Sequence, residues 1–276
     1  MVTGSNWSKV LVYGLLVVAL VFFVTPILWT FLLAVRPTGT NLTQPPTLFF
    51  QPVLDHLRYT FANPGVSMKY LYSSVVIALG STALSLPFSM PAAYAFARYR
   101  FKGRKGLMFW FLGIFLGPQV VFLLPYVILM NWFNLVGTYI SMILVFQTLT
   151  IPFSLLIMKS FIEEIPVELE ESALVDGASR LRAAVSVVLP LALPGLIVSA
   201  MFAFVFAWNN AAYPLVLSSQ ATKPLPVGTL DFFATTGISW NYIAATSFVT
   251  MLPPMILFLS LEKYLARGLT FGAVKG

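Results

Sequence analysis

The sequence predicts an all-α polytopic membrane protein with six transmembrane helices and both termini on the cytoplasmic side, N-in and C-in. Three observations carry that expectation. The 276 residues are 59% hydrophobic and 9% charged, with a mean hydropathy of +0.89, whereas soluble domains average about 45–50% apolar and about 25% charged. Six apolar stretches, each near the ~20 residues that cross ~30 Å of hydrocarbon, contain no Asp, Glu, Lys, Arg or His. The cations, finally, are distributed unevenly about those stretches. With the N-terminus inside, Lys9, Arg98, Arg100, Lys102, Arg104, Lys105, Lys159, Arg180, Arg182, Lys263, Arg267 and Lys275 are cytoplasmic, and only Arg36, Arg58, Lys69 and Lys223 lie outside. Twelve against four satisfies the positive-inside rule, and the opposite orientation would put the dense turn 98–105 on the wrong side.

The first span, 10–34, is an unbroken apolar run, too long for the roughly 7–15 residue core of a cleaved signal peptide. Residues 36–69, rich in Pro, Thr, Asn and aromatics, lack the apolar length to cross and are read as an ordered outer loop. The second span, 70–96, ends in five cations around Gly103. The third, 107–130, returns through the uncharged turn Asn131–Gly137 to the fourth, 138–158. A polar segment, 159–190, precedes the fifth span, 191–207. A second outer loop, 208–241, leads to the sixth span, 242–261.

Composition excludes several chemistries. Without cysteine there is no disulfide, zinc-thiolate site or thiol nucleophile. The formal charge of +7 and pI near 9.7 follow from membrane-anchoring cations on one side and do not call for nucleic acid. No phosphate loop, H-E-x-x-H or G-x-S-x-G occurs, and the single histidine, His56, is expected on the loop surface. A carrier driven by protons or sodium commonly keeps an acid in its path despite about 2.5–3.5 kcal/mol of insertion cost; these spans offer none. Prolines in or beside the spans (Pro87, Pro91, Pro118, Pro125, Pro152, Pro194 among them) suit kinked helices in a bundle that opens and closes. Neutral polar residues, Gln119, Asn131, Gln147, Asn209, Asn210 and Tyr213, are the candidates for a solute path, since amides and hydroxyls beside aromatic rings suit a hydroxyl-rich neutral solute.

The segment 163–190, EEIPVELEESALVDGASRLRAAVSVVLP, holds six of the nine acids. Pro166 fits the first turn of a helix, and the carboxylates after it complement the helix dipole. A short helix from Pro166 to Asp176 is therefore expected, ended by a left-handed Gly177, with Ser179 capping a second helix. Leu169 and Ala173, at i, i+4, would form an apolar ridge facing a partner, with Glu170 and Glu171 on its flanks.

Glu171-Ser172-Ala173, Gly177 after three residues, and Val187-Val188-Leu189-Pro190 after nine more resemble the E-A-A, x3, G, x9, I-x-L-P signature of permease subunits in binding-protein-dependent ABC importers. Ser172 for Ala and Val187 for Ile are its two departures. Trp208-Asn209, Leu225-Pro226-Val227-Gly228 and the tail from Arg267 resemble the smaller permease of the maltose-type carbohydrate branch. The resemblance implies a single transmembrane permease domain, 1–276, of the type I ABC importer fold in a bacterial cytoplasmic (inner) membrane. It implies that segment 159–190 is the coupling loop, with Glu170, Glu171, Ser172, Ala173, Asp176, Gly177, Leu189 and Pro190 toward an ATP-binding subunit dimer. Phe271, Gly272, Ala273, Val274 and Lys275 would reach between those ATPase subunits. The implied partners are that dimer, a second homologous permease, an extracytoplasmic solute-binding protein and the lipid bilayer. ATP and Mg would belong to the ATPase, and this chain would hold no cofactor or metal. Many such permeases carry Glu where this chain has Asn210, so no role of that acid is carried over. The alternative reading is a self-contained channel or secondary carrier for a small polar solute; a third is a membrane scaffold.

Overall fold

The computed structural model describes residues 6–38, 49–62, 67–234 and 237–271, almost all of them helical. In chain order the helices are α1 (Asn6–Ala34), α2 (Asp55–Ala62), α3 (Ser67–Arg98), α4 (Arg104–Leu116), α5 (Gln119–Trp132), α6 (Tyr139–Glu164), α7 (Val167–Val175), α8 (Arg180–Ala183), α9 (Leu189–Leu191), α10 (Leu193–Asn209), α11 (Ala212–Leu217), α12 (Leu225–Gly228) and α13 (Trp240–Phe271). A π turn, Ala184–Val188, joins α8 to α9, and Phe233–Ala234 pairs antiparallel with Gly237–Ile238 just before α13.

Four helices, α1, α3, α6 and α13, are long and apolar enough to cross a membrane singly. Two more crossings exist only if a bent pair counts as one span: α4 with α5, at 95°, and the run from Arg180 to Leu191 with α10, at 74°. This corrects the expected continuous third span at 107–130. The cause is Gly117-Pro118. A proline excludes its predecessor from the helical region, so Gly117 is extended (ψ 145°) and α5 restarts after Pro118. The fifth span likewise starts at a break. Pro190 and Pro194 each lack an N–H, and the helix pauses at Ala192 (ψ 0°) before α10 resumes.

The described residues fall into two compact units, Met1–Met68 with Gly228–Leu252 and Lys69–Val227 with Pro253–Gly276. In the first, Ala34, Ala244 and Ala245 form a small core with Leu33 and Leu57. Asn241 stitches the polar end of α1 to α13, its Nδ2 donating to Leu33 O (3.1 Å) and Arg36 O (2.7 Å). His56 is 3% exposed and meets the Tyr242 ring edge-on at 4.9 Å. The expected surface histidine is thus an internal member of an aromatic cluster with Tyr59, Tyr242 and Phe232, because α2 packs against the start of α13.

The second unit is organised on α6, against which α4, α10 and α11 all pack. The buried face of α3 is lined by Ser73, Ser74, Ser81, Ser85 and Ser89, small side chains that let helices approach closely in a membrane. Closeness is also enforced at Gly195 of α10, where any Cβ would lie 2.5 Å from the Phe161 ring. At one end, the turn after α5 is locked by Gly137 N donating to Leu217 O (2.8 Å) and by Ser219 and Thr222 hydroxyls donating to Gly137 O. At the other end lies the acidic segment.

Candidate functional site

The acidic segment folds as its punctuation predicts. Pro166 precedes α7, and Gly177 sits at φ 87°, where only glycine is unstrained. Ser179 accepts from Arg182 N at 3.3 Å and so caps α8. The following run returns to the bundle apolar side inward. Val188 and Ala192 are fully buried in a cluster with Ala93 and Phe96 of α3, Leu155, Met158 and Ile162 of α6, and Ile165.

The expected arrangement of the α7 side chains differs in one respect. Glu170 does not flank an outward ridge; it turns inward and is 7% exposed. Its carboxylate receives the Tyr94 hydroxyl and the Arg98 guanidinium, whose Nε donates to Oε2 at 3.0 Å. Arg98 completes the link by donating its Nη2 to Ile165 O at 2.9 Å. Tyr94 and Arg98 stand i, i+4 on the last turns of α3, so one helix face presents both donors to one acid. Tyr99 extends the group, edge-on to Tyr94 at 5.9 Å and under the Arg180 guanidinium at 5.7 Å.

The remaining signature residues face outward. Glu171, Ser172, Asp176 and Gly177 are exposed, Ala173 and Leu189 are half-buried, and Pro190 is exposed. The apolar surface around them comprises Leu169 and also Val175 and Leu181, 87% and 76% exposed. This is a wider ridge than the Leu169–Ala173 pair the spacing suggested. Of the tail residues, Phe271 ends α13, while Gly272, Ala273, Val274 and Lys275 lie outside the described residues.

The six candidates for a solute path separate into three sets. Asn210, Gln119 and Tyr213 come together: Asn210 Nδ2 donates to Gln119 Oε1 at 2.7 Å, and Asn210 Oδ1 accepts from Tyr213 N at 3.3 Å. This joins the end of α10 to the first residue of α5 beside the Gly117-Pro118 break, with the Tyr213 ring buried against Tyr126 and Phe146. Gln147 is instead engaged between helices, donating to Ile143 O (2.7 Å) and Ser81 O (3.3 Å). Asn131 and Asn209 are exposed at helix ends.

Sequence reading passed over Tyr94 and Arg98. Arg98 entered only as a topological cation, although Tyr94-x3-Arg98 closing an apolar helix was a visible signal.

A family model described as "Binding-protein-dependent transport system inner membrane component" matches residues 85–271. The chain is 32% identical to the diacetylchitobiose uptake system permease protein DasC of Streptomyces coelicolor, over 99% of this chain and 98% of that protein. It is 30% identical to the trehalose/maltose transport system permease protein MalG of Thermococcus litoralis, over 96% of each. With the arabinooligosaccharides transport system permease protein AraQ of Halalkalibacterium halodurans it shares 32%, over 99% of each. Among solved structures, a chain of a bacterial ABC transporter involved in the import of the acidic polysaccharide alginate superposes with a TM-score of 0.76 at 18% identity, covering 96% of this chain and 99% of that one. A second, from an alginate transporter in complex with an alginate pentasaccharide-bound periplasmic protein, gives 0.67 at 15%. At those identities the likeness is one of fold.

Proposed function

The chain belongs to the family of binding-protein-dependent transport system inner membrane components, and from that membership we propose that it is the permease subunit of an ATP-driven importer for a carbohydrate or related polyol. The observation that supports this most directly is the coupling loop: a short helix with an exposed acidic and apolar face, closed by a left-handed Gly177, and tied by a buried ion pair to the end of α3. The relatives named for diacetylchitobiose, trehalose or maltose, and arabinooligosaccharides support the carbohydrate class.

In this reading a separate ATP-binding subunit dimer, which holds ATP and Mg, receives α7 and its flanks Glu171, Ser172, Asp176 and Gly177. This chain carries no ATPase site of its own. A second homologous permease completes the path, and an extracytoplasmic binding protein delivers the solute. Movement of α7 is passed to α3 through Glu170, Arg98 and Tyr94, and to α10 through the apolar packing of Val188 and Ala192. Gln119 and Asn210, joined at the break between α4 and α5, lie along the solute path.

The test is reconstitution of the complex in liposomes with its ATPase and binding protein, followed by uptake of labelled mono-, di- and oligosaccharides. ATP-dependent accumulation that needs the binding protein is the expected result. Uptake by this chain alone under an ion gradient would overturn the reading.

A further inference from the structure

At the cytoplasmic end of the second unit, α4 and α6 pack side by side and leave a groove of about 440 Å³ lined by Arg104, Lys105, Met108, Phe109, Leu112 and Lys159. Its chemistry is divided along its length. Lys105, Met108, Phe109 and Leu112 follow the i, i+3, i+4, i+7 spacing of a single face of α4, with the cation at the cytoplasmic start of the helix and the apolar residues running on toward its interior turns. Lys159 of α6 and Arg104 bring two further cations to the charged end. Phe109 is 78% exposed, so the apolar wall is open to whatever surrounds the bundle.

The charge at the mouth is only partly balanced. Glu163 alone serves two of the three cations, at 2.6 Å from Lys159 Nζ and 3.4 Å from Arg104 Nη2. Lys105 has no carboxylate partner among the described residues. Three cations around one acid leave an excess of two positive charges at the head of an apolar groove.

We propose that this groove is a binding site for an anionic phospholipid of the inner leaflet. Its phosphate lies among Lys105, Arg104 and Lys159, and an acyl chain lies along Met108, Phe109 and Leu112. Basic pockets between helices on the cytoplasmic side match anionic headgroups in this way, and a single apolar face below the cations distinguishes a lipid from a free anion. In the occupied site the phosphate competes with Glu163 for Arg104 and Lys159. The proposal concerns lipid occupancy and stands apart from the transported solute.

Native mass spectrometry of the detergent-purified transporter complex, titrated with phosphatidylglycerol or phosphatidylcholine, tests it. Preferential retention of phosphatidylglycerol is expected, falling about five-fold in Lys105→Gln, the worth of one cation near an anionic surface. Lys105 is exposed and forms no ion pair among the described residues, so this variant leaves the fold and both ion pairs untouched. The change Glu163→Gln removes the competing carboxylate and should act in the opposite direction, raising retention by a similar factor. A third arm adds inorganic phosphate alone, which should not displace the lipid. Equal retention of the two lipids, no change in either variant, or displacement of phosphatidylglycerol by inorganic phosphate would each overturn the proposal.

Discussion

Removing Arg98 should damage the transporter more than removing Glu170 charge, and replacing both with apolar residues should restore the fold without restoring transport. The side chains of Arg98 and Glu170 are each 9% exposed and meet at 3.0 Å. In Arg98→Ala the carboxylate keeps Tyr94 but loses its counter-charge, and Ile165 O loses its donor. An unpaired charge at such burial costs about 3–5 kcal/mol. In Glu170→Gln the amide oxygen can still accept from Arg98 while its NH2 donates to the Tyr94 hydroxyl oxygen, and Arg98 keeps its bond to Ile165 O, so the loss falls toward the about 1.5–3 kcal/mol of a charge-assisted bond. The pair Arg98→Met with Glu170→Leu removes both charges, and apolar replacement of a buried pair is often neutral or stabilising. Thermal unfolding of the purified complex reads these differences, and the double-mutant cycle should give a coupling energy of about 0.5–3 kcal/mol. ATP hydrolysed per solute imported is the second measurement. If the ion pair carries α7 movement to α3, the apolar double variant unfolds near the wild-type temperature yet hydrolyses ATP with little uptake. Additive single-variant effects, or normal uptake in the double variant, would refute the reasoning.

Three further outcomes follow from local geometry. Gly177→Ala places a Cβ at φ 87°, which costs about 1–2 kcal/mol; because that Cβ would meet nothing within 4 Å, the effect should be strain in the α7 turn, read as weaker co-purification of the ATPase subunits while the permease stays folded. Gly195→Ala should lower the unfolding temperature more severely, since its Cβ would sit 2.5 Å from Phe161 Cγ and 2.7 Å from Phe161 Cβ, and overpacking costs about 1–3 kcal/mol. Asn210→Leu removes the bond to Gln119, worth about 1 kcal/mol, and should reduce the initial rate of solute uptake with subunit assembly unchanged; an unaltered uptake rate would separate this amide pair from the solute path.

Much of the segment 163–190 was legible because its signals are local. Pro166, Gly177 and Ser179 each act through their own backbone geometry, and the observed helix differs from the expected one by a single residue at each end. The inward turn of Glu170 was not legible, because it depends on an arginine 72 positions away and on α3 packing beside α6. Counting cations assigns Arg98 to a side of the membrane but is blind to which acid it meets. The Gly117-Pro118 break shows the same division. A proline at a span edge is visible in the sequence, but a 95° redirection of α5 requires the packing of α11 against both α5 and α6. His56 was misplaced for a related reason. Loop composition suggests exposure, whereas the aromatic residues of α2 and the start of α13 bury the ring.

The spans without charge and the buried ion pair at their cytoplasmic end are two sides of one physical solution. A ligand or partner shifts a conformational equilibrium only through contacts that differ between the two states. With no Asp, Glu, Lys, Arg or His inside the six apolar stretches, those contacts must be made at the ends of the helices or by neutral packing. The segment 163–190 supplies both kinds. Glu170 fastens α7 to α3 by a polar link of fixed geometry, while Val188 and Ala192 hold the following segment in the apolar cluster that α3 and α6 share. That segment contains a π turn and two prolines spaced four apart, so its backbone ladder is weakest where it meets α10. On the proposed reading, displacement of α7 would move α3 through the ion pair and reach α10 through a bend, which would allow the two helices to respond by different amounts. Filling the bend should reveal this: Pro194→Ala restores a donor to the α10 ladder, and on this reasoning it should stiffen the junction, raise thermal stability and slow the transport cycle. A Pro194→Ala complex that is more stable and transports at the wild-type rate would show that the bend at Ala192 takes no part in the movement.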